Sequence, residues 1–231
     1  MATRLDKQGR AAATLYEIAA AISAALPALD LTDRQISTQI HRKMSSGGPV
    51  DPADVANAVG VPVDRVEEKL NSWPGVFRDD RGRVVGFWGQ AIAKLDPEYR
   101  FLSEGNTSYA WCALDTLFIP PILGKTVCVE ASDPVSGEAV SLVVDGDGAR
   151  DVRPTGAVVS MVVPEGPFDY DVIDTFCHRV LFFASEQTGA RWVAENPGTM
   201  LLSVPEAFEL GRVLTERTAS DPSGPQPEVR S

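Results

Sequence analysis

The chain has little cysteine and histidine, with three Cys and two His among 231 residues. A small, odd number of cysteines excludes a disulfide scaffold and predicts reduced thiols in a reducing compartment. Structural zinc sites need closely spaced ligand pairs, and neither Cys112 nor Cys128 has one in the sequence. The thiols are therefore predicted to be available for chemistry.

Long apolar runs and an excess of basic charge are also missing. No run reaches the roughly 20 residues that span a bilayer, and the start, MATRLDKQGR, has no apolar signal core. We therefore expect a cytoplasmic protein without membrane contact. The net charge is −11, and all of the acidic excess lies in residues 101–231. Because neither part has the positive excess that binds phosphates, we expect no nucleic-acid partner.

Residues 1–100 show a helical pattern that ends in a hairpin. Helices are predicted over 11–26 and 29–44, a helix, tight turn and helix over 51–73, and two short strands over 76–88. This order predicts a winged-helix-like N-terminal domain. Its second helix would present Glu67 and Glu68 to phosphates, so we favour a packing or substrate-covering role over DNA binding.

Residues 101–217 predict a mixed domain, so the fold class is α+β. Strands are predicted over 125–131, 139–144, 157–163 and 179–183, and helices over 188–195 and 204–215. The consecutive strands predict a mainly antiparallel sheet with flanking helices. Residues 218–231 are rich in Pro and low in hydrophobicity, which predicts a disordered tail.

One apolar stretch, Tyr109–Phe118, carries a thiol and a carboxyl group three residues apart. Its composition predicts a helix with Ser108 as N-cap, on which Cys112 and Asp115 share a face and can exchange a proton. In the first turn, the helix dipole would favour the Cys112 thiolate and make the sulfur nucleophilic. The alternative is a buried structural cysteine without a chemical role.

The two other cysteines differ in what they predict. Cys128 lies at a strand position whose neighbours Val127 and Val129 face the other way. It is either a small core residue, which we favour, or a surface thiol, and it receives no role. Cys177 stands 65 positions after Cys112, so any joint site has to be assembled by the fold. His178 is a conceivable base for Cys112 in a cysteine protease, but the sequence has no local signature of such a triad.

Five segments occur in a particular order: YAWCALDTL at 109–117, PILGKT at 121–126, GEAVSL at 137–142, FC at 176–177 with FFAS at 182–185, and VPEAF at 204–208. Over about residues 50–215, the chain closely resembles the alkylmercury lyase (organomercurial lyase) family of bacterial mercury resistance. The resemblance implies that Cys112, Asp115 and Cys177 form the catalytic set. It also implies a winged-helix-like domain on a mixed catalytic domain. Some members have a second cysteine where this chain has His178.

The implied reaction is protonolysis of the carbon–mercury bond of R–Hg⁺ to R–H and Hg²⁺. Thiolates select soft cations, so Cys112 and Cys177 would bind mercury while Asp115 takes a thiol proton and returns it to carbon. This requires a raised pKa of Asp115, which desolvation by apolar neighbours would supply. The apolar neighbours we expect are Trp111, Leu114, Phe118 and Phe176.

Further expectations concern the substrate and the partners. The candidate substrate contacts are Tyr109, Trp111, Phe176 and His178. We expect no cofactor, a requirement for external low-molecular-weight thiols, and a mercuric reductase as the acceptor of Hg²⁺. The alternative is a thiol-based metal sensor or regulator with a winged helix and no catalysis, in which Asp115 has no use.

Overall fold

The computed structural model describes residues 15–219, and the first helix, α1, covers 15–25. The other helices are α2 (Leu31–Met44), α3 (Pro52–Val59), α4 (Val63–Ser72), α5 (Asp115–Leu123), α6 (Val172–Thr175), α7 (Glu186–Glu195) and α8 (Val204–Ala219). Residues 1–14 and 220–231 lie outside the described residues. The prediction that the chain starts without a signal core, and most of the predicted disordered tail, concern these residues. Helix α8 includes the first two residues of that predicted tail. Within residues 15–219, no helix combines the length and apolar character that crossing a bilayer requires.

Helices α2, α3 and α4 share a buried core with the hairpin that follows them. Asp30 caps α2 by accepting the Asp33 N–H at 2.7 Å, and Asp51 caps α3 by accepting the Ala53 N–H at 2.9 Å. Gly60 ends α3 with a φ of 80°, a left-handed conformation that glycine adopts without strain. The predicted helix, turn and helix over 51–73 are thus confirmed, and the winged-helix class stays a prediction.

Among the described residues, eight strands form one antiparallel sheet in the order β1-β2-β3-β5-β4-β6-β7-β8. They are β1 (Val76–Arg78), β2 (Val84–Phe87), β3 (Gln90–Ala91), β4 (Tyr99–Ser103), β5 (Asn106–Ala110), β6 (Val127–Ser132), β7 (Ala139–Val144) and β8 (Ala149–Arg153). Strands β1 and β2 form the predicted hairpin. The predicted domain boundary at residue 100 lies inside β4, and β3 pairs with β5 across it. One sheet therefore joins the two predicted domains, and their division stays a prediction.

A second sheet of three strands completes the α+β fold. It consists of β9 (Val158–Val162), β10 (Phe182–Phe183) and β11 (Thr199–Ser203), in the order β10-β9-β11. The prediction of one strand over 179–183 is wrong in its first half, because Cys177–Arg179 forms a 3-10 turn before the short β10. Strands β8 and β11 were not predicted. Strand β8 is an edge strand with exposed side chains, so it lacks an apolar pattern.

Candidate active site

Cys112 lies in a turn between strand β5 and helix α5. The prediction of a helix beginning after Ser108 is wrong, because Ser108 and Tyr109 belong to β5, which pairs with β4 on one side and β3 on the other. Helix α5 begins only at Asp115. The carboxylate Oδ2 of Asp115 accepts the backbone N–H of Cys112 at 3.0 Å. The three-residue spacing therefore belongs to a turn that leads into the helix.

Cys177, 65 positions later in the chain, lies next to the same turn. It opens the 3-10 turn after α6, and the next residues are tied to the Cys112 turn because the Ala113 N–H donates to the Val180 carbonyl at 2.9 Å. The Cys112 and Cys177 sulfurs and a carboxylate oxygen of Asp115 all lie within 4.8 Å of one another. Cys112 is 0% exposed, Cys177 is 3% exposed and Asp115 is 8% exposed. The fold thus brings together three acidic groups in a nearly dry site.

The pKa values of all three groups are raised, with burial as a contributing cause in each. Burial raises the pKa of Asp115 to about 7, although hydrogen bonds from Cys112 act in the opposite direction. Burial also raises the pKa of Cys112 well above its usual range, and the hydrogen bond with Cys177 and the Asp115 charge raise it further. The hydrogen bond from Cys112 lowers the pKa of Cys177, but burial and the charge of Asp115 outweigh it and leave that pKa raised.

These directions agree with the predicted desolvation of Asp115 and contradict the predicted thiolate at Cys112. Cys112 precedes α5 instead of lying in its first turn, and desolvation outweighs any effect of the helix dipole. Both thiols therefore remain protonated near neutral pH. Among the three, Asp115 is the group that ionises first as the pH rises.

Comparison with known proteins identifies the family of this chain. Residues 93–216 match the family model for alkylmercury lyase (MerB). An alkylmercury lyase of Staphylococcus epidermidis is 38% identical over 184 residues, 80% of this chain and 82% of that protein. One of Bacillus cereus is 39% identical over 75% of this chain and 78% of its own length.

The chain belongs to the alkylmercury lyase family. A more distant member, from Pseudomonas putida, is 31% identical over 78% of this chain and 82% of its own length. Members of the family are lyases that cleave the carbon–mercury bond. A solved structure, the mercury-bound form of MerB2, matches with a TM-score of 0.66 at 20% identity and covers 89% of this chain and 98% of that one. At this identity the likeness establishes a shared fold.

Two residues close to the cluster of Cys112, Asp115 and Cys177 were not predicted from the sequence. Gly89, in the turn between β2 and β3, lies so close to Asp115 that a Cβ at this position would be 2.3 Å from Oδ1. Tyr99, on β4, is buried beside the trio, and burial together with the charges of Cys112, Cys177 and Asp115 raises the pKa of its hydroxyl. The sheet brings both residues to the site, because β3 and β4 flank β5.

The four candidate substrate contacts lie in different surroundings. Trp111 is buried edge-on against Phe77, with ring centroids 5.4 Å apart. Phe176 is buried against Phe168 at 5.1 Å, and Tyr109 is half-buried on β5. His178 is turned toward solvent, with its side chain 41% exposed and Nδ1 3.2 Å from Asp174 Oδ1. Their contact with a substrate stays a prediction.

Cys128 lies apart from this arrangement. On strand β6 the side chains alternate between buried and exposed, and Cys128 is exposed between buried Val127 and Val129. The favoured prediction of a small core residue is therefore wrong, and Cys128 is a surface thiol. Among the described residues, the cluster suited to a metal ion is formed by Cys112, Asp115 and Cys177 and does not include Cys128. Cys128 therefore serves as an internal reference for thiol reactivity.

Proposed function

We propose that this chain catalyses the protonolysis of organomercurials, converting R–Hg⁺ to R–H and Hg²⁺. The observation that carries the proposal is the meeting of two buried sulfurs and one buried carboxyl group within 4.8 Å. Sulfur is the ligand that soft metal ions prefer, and the carboxyl group is within reach of the atoms bound to them. Cys112 and Cys177 belong to the buried apolar cluster, and such surroundings suit the alkyl or aryl group of this substrate.

Substrate capture uses one thiol and the carboxylate. As mercury approaches, one cysteine gives its proton to Asp115 and its sulfur bonds to mercury. The thiolate that carried the substrate is displaced, takes that proton from Asp115 and departs as a free thiol. The second cysteine then transfers its proton to Asp115 and joins mercury. Each transfer needs an acceptor, and Asp115 is the group of the three that ionises first as the pH rises.

Bond cleavage uses the proton that Asp115 received from the second cysteine. Two thiolates on mercury raise the electron density on the attached carbon, and the Asp115 carboxylic acid protonates that carbon. The carbon–mercury bond breaks, R–H leaves and Hg²⁺ remains bound to Cys112 and Cys177. A carboxyl group with a pKa of about 7 suits both roles, since it accepts and donates protons at neutral pH.

The surroundings of the reaction are part of the same proposal. The cycle needs no cofactor, but low-molecular-weight thiols are needed to deliver the substrate and to remove Hg²⁺, and a mercuric reductase is the expected acceptor. We place the reaction in the cytoplasm, where such thiols keep cysteines reduced. The helical N-terminal segment, a winged-helix-like unit in our interpretation, would cover the site.

The test is gas chromatography of headspace hydrocarbon from purified protein, phenylmercury and excess thiol. The unmodified chain should release benzene, and Cys112→Ser and Cys177→Ser should each release none because mercury loses one of its two sulfurs. Cys128→Ser is the matched control, since this thiol is exposed, and it should retain full activity. Full activity of either buried-cysteine variant would contradict the assignment.

The alternative function is a thiol-based metal sensor that binds DNA and does not catalyse a reaction. The order of helices and hairpin in residues 31–87 supports it. Helix α4, however, exposes Asp64 and Glu68, and its Glu67 pairs with Arg78 at 2.7 Å. Carboxylates on this face would repel phosphates, so we expect no DNA binding. A gel-shift assay with genomic DNA fragments separates the two functions, because a sensor requires a shifted band.

A further inference from the structure

A tight turn joins β2 to β3 and is held in place by several hydrogen bonds. It consists of Trp88, with a φ of 33°, and Gly89, with a φ of 90°. The Trp88 backbone N–H donates to the Gly75 carbonyl at 3.2 Å, and its indole N–H donates to the Pro74 carbonyl at 2.7 Å. The Gly89 carbonyl accepts the Trp111 N–H at 2.9 Å. The turn is thereby fixed to the residue that precedes Cys112.

The same turn lies directly against the carboxyl group of Asp115. A Cβ built on Gly89 would be 2.3 Å from Oδ1, 2.5 Å from Cγ and 3.0 Å from Cβ of Asp115. Such distances leave no room for any side chain at this position. Gly60 and Gly82 also have positive φ angles, but a Cβ on either would meet nothing within 4 Å. At Gly89, therefore, the close approach adds a requirement for glycine beyond that of the backbone angle.

The two oxygens of Asp115 are thus restrained by different neighbours. The backbone N–H of Cys112 binds Oδ2, and the Cα of Gly89 bounds the carboxyl group on the side of Oδ1. Rotation of an aspartate about its last side-chain bond is otherwise soft. We propose that Gly89 is a positioning residue, which keeps the Asp115 carboxyl group beside the two sulfurs for proton transfer.

This inference rests on the proposed function and adds a residue to it from outside the matched segment. Gly89 precedes residues 93–216, the part of the chain that matches the family model. It belongs to the β2–β3 connection, whose preceding strand packs with the helical N-terminal core. Through this connection, the N-terminal part takes part in placing the acid.

The test compares Gly89→Ala with Gly82→Ala in the full-length chain. Both substitutions put a Cβ on a residue with positive φ, but only the first reaches Asp115. Displacement of an acid by about 1 Å costs on the order of 100-fold in rate, so we expect kcat to fall about 100-fold in Gly89→Ala and less than about 2-fold in Gly82→Ala. The final extent of capture, measured as loss of the buried thiols in a Cys128→Ser background, should reach one phenylmercury per chain in both. A lower kcat with unchanged capture separates positioning from a general structural defect.

A double-mutant cycle covers the case in which Gly89→Ala folds poorly. Asp115→Ala removes the atoms that the new methyl group would meet at 2.3 and 2.5 Å. Gly89→Ala should therefore lower the unfolding temperature less in the Asp115→Ala background than in the unmodified chain, because the strain of the backbone angle is common to both. Equal losses, or unfolding in both backgrounds, would assign the cost to the backbone alone and overturn the proposal.

The failure of this inference is distinct from failure of the proposed function. If the unmodified chain releases no benzene, the function is wrong and the positioning role falls with it. If the unmodified chain is active and Gly89→Ala matches Gly82→Ala in kcat, the function stands and the role of Gly89 is refuted.

Discussion

The stability of the fold should depend on the protonation of a buried histidine far from the cysteines in sequence. His41, on α2, is 3% exposed and its Nδ1 lies 3.0 Å from Gln90 Oε1. Gln90 in turn donates to Ser108 Oγ at 3.3 Å, and the His41 ring lies edge-on to Phe87 at 5.1 Å. This chain of contacts links the helical N-terminal core to strands β3 and β5. Charging the His41 ring should therefore weaken the contact between this core and the two strands.

The magnitude follows from the pKa of His41, which burial lowers from 6.5 to about 4, with the Gln90 hydrogen bond opposing the change. The unfolded chain binds this proton as the pH falls through 6.5, whereas the folded chain binds it only near pH 4. The stabilisation is therefore complete above pH 6.5 and is lost as the pH falls toward 4. Each pH unit between the two pKa values is worth about 1.4 kcal/mol, so the loss is about 2 kcal/mol at pH 5 and about 3 kcal/mol when complete.

Asp115 acts in the opposite direction and has to be separated from His41. Burial raises its pKa from 3.8 to about 7, so the folded chain holds this proton more tightly. Its contribution to stability is complete below pH 3.8 and is lost as the pH rises through 7. The pH dependence of the unmodified chain alone therefore contains two effects of similar size and opposite sign.

The assay is urea unfolding of the unmodified chain and of His41→Phe between pH 7.5 and 5. The Phe variant is less stable at pH 7.5, because Gln90 loses its partner, and the difference in unfolding free energy should shrink by about 2 kcal/mol at pH 5. His178→Gln is the control, since the only other histidine of the chain is exposed, and it should follow the unmodified chain. A constant difference between the two curves would refute the assignment of a neutral, buried His41.

Two further predictions concern buried carboxylates outside the site. Asp133 accepts the Ala184 N–H at 2.8 Å and the Thr188 hydroxyl at 2.6 Å, so Asp133→Ala should lower the unfolding free energy by about 3 kcal/mol in urea, and a loss below about 0.5 kcal/mol would contradict its bridging role. Asp33 is 2% exposed at its side chain and pairs with Arg65 and Lys69 at 3.0 and 2.9 Å. Asp33→Ala should cost about 2 kcal/mol in the same assay, because α2 loses its capping box as well, and an unchanged midpoint would refute this.

The Cys112–Asp115 pair was predictable in its spacing but not in its structure. The apolar stretch around it is typical of a helix, and strand pairing on both sides of β5 overrides that local preference. The spacing nevertheless matters, because a turn that leads into a helix brings the same two residues together. The predicted reactivity of Cys112 failed for a related reason: local sequence suggested a helix dipole, whereas burial depends on the whole fold.

Residues placed by long-range pairing could not be predicted from local patterns. Cys177 was identified through resemblance to a family, since nothing near it in sequence indicates a partner 65 positions away. Tyr99 reaches the site because it pairs with Ala110 across the β4–β5 register, and Gly89 because β3 pairs with the other side of β5. The N-terminal helices and hairpin were predictable, since their caps and turn residues are local signals.

The most direct measurement of the central claim is a single turnover of the Asp115→Asn variant with one equivalent of phenylmercury. The amide keeps the shape of the carboxyl group but cannot carry a proton between sulfur and carbon. The unmodified chain should release one benzene per chain and retain Hg²⁺ on its two buried sulfurs. Both proteins carry Cys128→Ser, so that loss of free thiol reports only the buried sulfurs. The variant should still capture phenylmercury, although more slowly, because the displaced thiolate ligand can take the thiol proton in place of Asp115, and it should release no benzene. Release of benzene by Asp115→Asn at the rate of the unmodified chain would contradict the account.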